Sequence, residues 1–104
     1  MQVQINTDKT IDSSDRLQTY YTAEIETALA RFDDKITRIE VHFGDENGEK
    51  FDPKDKRCLI EARVANMQPV AVTNFSDTTE KAFHGALDKL KVVLKTTFEK
   101  QREY

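Results

Sequence analysis

Arg57-Cys58-Leu59-Ile60-Glu61-Ala62-Arg63-Val64 is followed, after a break through residues 66–69, by Val70-Ala71-Val72-Thr73-Asn74-Phe75. Cys58, Ile60, Ala62 and Val64 alternate with Arg57, Leu59, Glu61 and Arg63, the two-residue period of a strand with one buried face. The β-branched run after Pro69 suits a second strand, and the short polar turn between them makes the pair antiparallel neighbours. Upstream, Ile39, Val41 and Phe43 alternate with Arg38, Glu40 and His42 and predict a third strand stopping at Gly44. Residues 44–56, with Gly48, Pro53, five acids and three lysines, read as a mobile acidic loop longer than a tight hairpin turn.

Further out, Met1, Val3 and Ile5 alternate with Gln2, Gln4 and Asn6, a first strand. Asp12, Ser13 and Ser14 offer capping oxygens, and after them Leu17, Tyr21, Ile25, Ala28, Leu29 and Phe32 recur at spacings of three and four. A helix is expected there, ending near Asp33. At the other end Ser76 or Asp77 is the expected cap of a long helix. Its broad apolar stripe is Ala82, Phe83, Ala86, Leu87, Leu90, Val93, Leu94 and Thr97. Gly85 inside it lowers helix stability by about 1 kcal/mol relative to Ala, which predicts a close backbone approach to another element. A short tail is expected from about residue 100.

The order is β-α-β-β-β-α, an α+β domain with a four-stranded sheet. A first strand joined to the second through a helix runs parallel to it, and both helices then lie on one face of the sheet. The other face is open and carries Arg38, Glu40, His42, Arg57, Leu59, Glu61 and Arg63. At 104 residues the chain is one domain over 1–104.

Composition narrows the function. No stretch approaches the roughly 20 apolar residues of a membrane span, and the N-terminus has neither a basic flank nor a long apolar run. Cys58 is the only cysteine, which rules out an intrachain disulfide and fits a reducing cytoplasm. The net charge of −3 is unevenly spread: −4 over residues 12–34 and +2 over residues 78–104. Any phosphate-binding surface is therefore expected on the last helix.

Catalytic and metal-binding constellations are not legible. His42 and His84 have no second histidine or cysteine at ligand spacing, and the acidic loop lacks the ordered spacing of a calcium loop. Cys58 falls on the inward phase of its strand, where a small thiol is ordinary packing. The pairs Asp33-Asp34 and Asp45-Glu46 sit at a helix end and in a loop, with no apolar pocket to raise a carboxyl pKa. Gly44, Gly48 and Gly85 are isolated, so no phosphate loop exists. No cofactor, metal, small-molecule substrate or membrane partner is expected. A sheet that stacks RNA bases is also disfavoured, because the exposed phases of the second and third strands carry charges instead of rings. On a helical wheel, however, His84, Lys91 and Lys95 follow one another along one edge of the last helix, with Asp88 among them and Lys89 across the helix. A nucleic-acid backbone can be tracked from such an edge, although lysines beside an apolar stripe are common on solvated helices.

The segments Gln2-Val3-Gln4-Ile5-Asn6, Ala28-Leu29-Ala30-Arg31-Phe32, Ala62-Arg63, Pro69-Val70 and Ala86-Leu87-Asp88-Lys89-Leu90, in that order, resemble the ribosome hibernation-promoting factor family, also called the ribosome-associated inhibitor or sigma-54 modulation family. The likeness runs from Gln2 to about Lys100. It implies a fold similar to the double-stranded RNA-binding domain, which lies in the mRNA and tRNA channel of the small ribosomal subunit and blocks translation in stress or stationary phase. It implies partners in 16S rRNA and the neighbouring ribosomal proteins, no catalysis and a cytoplasmic location. The rRNA-binding positions so implied are Lys81, His84, Lys89, Lys91 and Lys95, with Lys89 matching the lysine of the family's Asp-Lys-Leu motif. Ending soon after the last helix, the chain resembles the short form, so ribosome pairing is expected to need a separate dimerising factor. Val92, Thr96 and Phe98 stand where family members usually carry further Arg and Lys. Together with the net acidity, this opens a second reading: a protein-interaction module on the same fold, with weakened or lost rRNA binding and Phe98 at the interface.

Overall fold

The computed structural model describes residues 1–7, 14–45 and 56–101, with the backbone alone at Gln101. Its elements are β1 (Gln2–Thr7), α1 (Asp15–Ala28), a 3₁₀ turn (Ala30–Phe32), β2 (Ile36–Asp45), β3 (Lys56–Val64), β4 (Val70–Ser76) and α2 (Thr79–Gln101). The strands form one sheet in the order β1-β2-β3-β4, with β1 parallel to β2 and the other two pairings antiparallel. This is the β-α-β-β-β-α arrangement expected from the periodicities. Register follows the apolar phase: Val3 and Ile5 oppose Ile39 and Val41, which in turn oppose Ala62 and Ile60. Both helices pack on the sheet, and Ile25, Leu29, Phe83, Leu90 and Leu94 meet the inner positions Ile39, Val41, Cys58 and Ile60 in one fully buried cluster.

Most differences from the expectations lie at element ends. Ser14 caps α1, its hydroxyl accepting from the Leu17 N–H at 3.3 Å; Asp12 and Ser13 lie outside the described residues. The helix stops at Ala28 instead of near Asp33, and the tighter 3₁₀ turn that follows carries Phe32 into the core. Thr78, not Ser76 or Asp77, caps α2: its hydroxyl accepts from the Lys81 N–H at 3.1 Å and its carbonyl from the Ala82 N–H at 3.0 Å. Ser76 is still paired in β4, so it cannot double as the cap. Of the loop expected over 44–56, residues 46–55 lie outside the described residues. Gly44, Asp45 and Lys56 belong to the strands, where Lys56 Nζ meets Asp45 Oδ2 at 2.7 Å. The tail beyond Gln101 is likewise outside them.

Two expected placements on α2 change as well. Val93 is 37% exposed and sits on the rim of the helix, not in its buried stripe. Phe98, which the second reading places at an interface, is 4% exposed and belongs to the core. Gly85 does face a close approach, because a Cβ there would overlap the Asn74 side-chain amide. Cys58 is fully buried, and burial pushes its thiol up to about 12.

Candidate nucleic-acid interface

The charges on the open face of the sheet are largely consumed within it. Glu40 lies between Arg38, at 3.1 Å, and Arg63, at 3.8 Å, and Arg63 also meets Glu61 at 3.2 Å. Arg38 additionally contacts Gln4, and Asn6 and His42 approach to 3.5 Å. The sequence reading missed one ring on this face: Phe75 of β4 is 44% exposed opposite Arg57.

The five candidate side chains of α2 divide into distinct settings. Lys81 meets Asp77 at 3.5 Å, and its ammonium is the main reason the Asp77 carboxyl sits below the ordinary carboxylate range. His84 Nε2 lies 3.1 Å from the Tyr20 hydroxyl of α1 and 3.7 Å from Glu80 Oε1, while the same hydroxyl donates to Glu80 at 3.3 Å. Partial burial and the Glu80 and Glu24 carboxylates push the Tyr20 hydroxyl up from its usual value. Lys89 is on the opposite flank, and its ammonium donates to the Thr73 carbonyl of β4 at 2.9 Å. Lys91 and Lys95 are exposed and stay together.

Those two lysines share a groove of about 200 Å³ with Ala28, Arg31, Phe32 and Val92, where the end of α1 and the 3₁₀ turn face α2. Arg31 is the contribution of the turn. Had α1 continued to Asp33, the helical phase would have changed at this point, so the site depends on the early stop at Ala28. The local backbone is pinned, with Phe32 N–H to Leu29 O at 2.9 Å, Lys35 N–H to Phe32 O at 2.9 Å and Ala65 N–H to Lys35 O at 3.0 Å. Nearby, the Phe32 and Phe98 rings pack at a 40° tilt with centroids 5.1 Å apart; Arg31 Cζ lies 4.9 Å from the Phe32 ring centre and Lys35 Nζ 4.6 Å from that of Phe98. None of the ion pairs among the described residues involves Arg31, Lys35, Lys91 or Lys95. Arg31 is part of a site that periodicity on α2 could not disclose, and Lys35 is linked to it through the Phe98 and Phe32 rings. The only sequence signal for Arg31 was its place in the Ala28–Phe32 segment.

The groove is rimmed by cations from the 3₁₀ turn and α2 of a β-α-β-β-β-α domain, and the sequence of this domain matches a known family. The model of the "Sigma 54 modulation protein / S30EA ribosomal protein" family matches residues 3–102. The chain belongs to this family. It is thereby a ribosome-associated factor and not an enzyme. No curated protein sequence matches the S30EA-family chain. Among solved structures, a ribosomal subunit interface protein from Coxiella burnetii is similar, with 19% identity, TM-score 0.70, and coverage of 95% of this chain and 99% of that one. The N-terminal domain of Thermus thermophilus Protein Y is similar at 20% identity and TM-score 0.67, covering 93% and 99%. At these identities the structural likeness speaks for the fold. Among the described residues, no group of three His, Cys, Asp or Glu side chains is placed to hold a metal ion, and no helix is long and apolar enough to cross a membrane.

Proposed function

We propose that this chain binds the small ribosomal subunit in the mRNA and tRNA channel and silences translation by occlusion in stressed or stationary cells. Its partners there are 16S rRNA and the neighbouring ribosomal proteins, in the cytoplasm. The observation that carries the reading is the Arg31-Lys91-Lys95 groove, whose three cations have no carboxylate partner among the described residues. Phosphate oxygens are the natural counter-charge for such a rim, and contacts to them position a protein without reading bases. His84 and Lys81 extend the same flank, already engaged by Glu80 and Asp77. Lys89, held at Thr73, makes a lesser contribution from the other side.

Three phosphate contacts give a salt slope of about −2 to −3, a loss of roughly twenty- to fortyfold in affinity between 50 and 200 mM salt. The test is co-sedimentation with 30S subunits across that range, for the wild-type chain and for Lys91→Glu/Lys95→Glu. Binding at low salt that the double variant abolishes, with circular dichroism unchanged, is the expected result. Absence of the wild-type chain from the 30S fraction even at low salt overturns the reading.

A second reading keeps the fold and replaces the ribosome with a protein partner. It is favoured by Val92, 66% exposed in the middle of α2 beside the partly exposed Val93. With Phe98 buried, the apolar surface available to it is smaller than the sequence suggested. Recovery of one stoichiometric protein and no ribosomal proteins in a pull-down would decide for it.

A further inference from the structure

In this chain, two of the groove's neighbouring cations sit on aromatic faces. Arg31 lies over Phe32 and Lys35 over Phe98, and the two rings pack against each other at a 40° tilt, forming a four-membered run of cation, ring, ring, cation. Phe32 comes from the 3₁₀ turn and Phe98 from the C-terminal part of α2, so the run ties the turn to the helix next to the groove. Both rings are almost fully buried, whereas Arg31 is exposed and Lys35 half-buried. A ring covers only one face of a guanidinium, so the N–H donors around the Arg31 rim stay available to an anion. An ammonium resting on a ring likewise keeps donors directed away from it.

We infer that Phe32 and Phe98 are positioning residues for anion binding: their π faces hold Arg31 and Lys35 in place before a phosphate arrives. This rests on the reading of the groove as a phosphate site and adds how one of its cations, Arg31, and the adjoining Lys35 are held ready. A long cationic side chain free in water loses rotamer freedom when it binds, and that loss weakens binding. A side chain already resting on a ring has lost part of that freedom on folding. The net attraction to the ring at a partly exposed site corresponds to roughly a two- to fivefold effect on affinity per cation.

The signature differs from that of an ordinary charge contact. Removing a cation, as in Arg31→Ala, lowers affinity and also reduces the salt slope by about one unit, because one fewer counterion is released. Phe98→Leu and Phe32→Leu keep every charge and an apolar side chain in the core but remove the π face. Affinity for 30S subunits is then expected to fall about two- to fivefold with the salt slope unchanged, and Phe32→Tyr, which retains the ring, is expected to keep wild-type affinity.

Titrations of the full chain with 30S subunits at several salt concentrations give both quantities. Proton NMR of the unaltered chain supplies a second measurement that needs neither a variant nor RNA: the side-chain methylene protons of Lys35 and Arg31 should be shifted upfield by the ring currents. If these protons resonate at random-coil positions, the proposal is overturned. It is also overturned if Phe98→Leu binds as tightly as wild type while the wild-type chain shows normal salt-dependent binding; in that case the groove still stands as a phosphate site. Failure of the wild-type chain to bind 30S subunits at low salt overturns the groove reading and this inference with it.

Discussion

Replacing Gly85 with alanine sets two opposed effects against each other at one position of α2. In an exposed helix interior, Gly→Ala is stabilising by about 1 kcal/mol because alanine restricts the unfolded chain and suits the helix. At this position the added methyl would overlap Asn74 Nδ2 and lie 2.7 Å from its Cγ. Asn74 is on β4, on the face turned toward α2, and its amide donates to the Ala82 carbonyl at 3.3 Å. The amide must swing away, which forfeits that hydrogen bond, worth about 1 kcal/mol, and forces an off-rotamer side chain at about 0.5–1.5 kcal/mol. The gain and the losses leave Gly85→Ala destabilised by about 0.5–1.5 kcal/mol. In an Asn74→Ala background the obstruction is gone, and the same substitution should stabilise by up to about 1 kcal/mol. The two sites are therefore coupled by about 1.5–2.5 kcal/mol, well above the additivity error of distant positions. Urea unfolding of the four chains in the cycle, followed by circular dichroism, measures this coupling. An equal effect of Gly85→Ala in both backgrounds would refute the close approach of α2 to β4.

Thr78→Ala should lower stability by about 1 kcal/mol, since it deletes the hydroxyl that accepts from the Lys81 N–H, while Ser76→Ala should stay within about 0.5 kcal/mol; thermal melts of the two variants read the difference. Cys58 should resist iodoacetamide in the native chain at pH 8, because burial holds its thiol protonated up to about 12, against an ordinary 9.0. The same shift has a definite sign in stability: above pH 9.0 the unfolded chain loses this proton before the folded chain does. Folding is then disfavoured by up to about 1.4 kcal/mol per pH unit until about pH 12, and the difference between wild type and Cys58→Ala in alkaline urea titrations isolates it.

The architecture was legible in one dimension because every strand has one buried face and each helix one buried stripe. Ile39, Val41 and Phe43, or Cys58, Ile60 and Ala62, appear at period two for the same reason that they are buried: the pleat turns alternate side chains to opposite sides. The connection through α1 then made β1 and β2 parallel. The ends of elements were less legible, since several residues around positions 76–78 can cap a helix and the choice fell to Thr78 once Ser76 was held in β4.

The candidate site divides the same way. The sequence alone placed Lys91 and Lys95 on one edge of α2, because i and i+4 share a helical face whatever the rest of the chain does. What stands opposite that edge is a contact between segments some 60 residues apart, and no local period encodes it. Only the tertiary structure stops α1 at Ala28, turns Phe32 onto Phe98 and brings Arg31 to the groove. It also sends Lys89 to the carbonyl of Thr73 and engages Lys81 and His84 with neighbouring acids, so that lysines of similar sequence context differ in what they are free to bind. A cation's availability depends on the charges and rings around it in space, and that arrangement exists only in the folded chain.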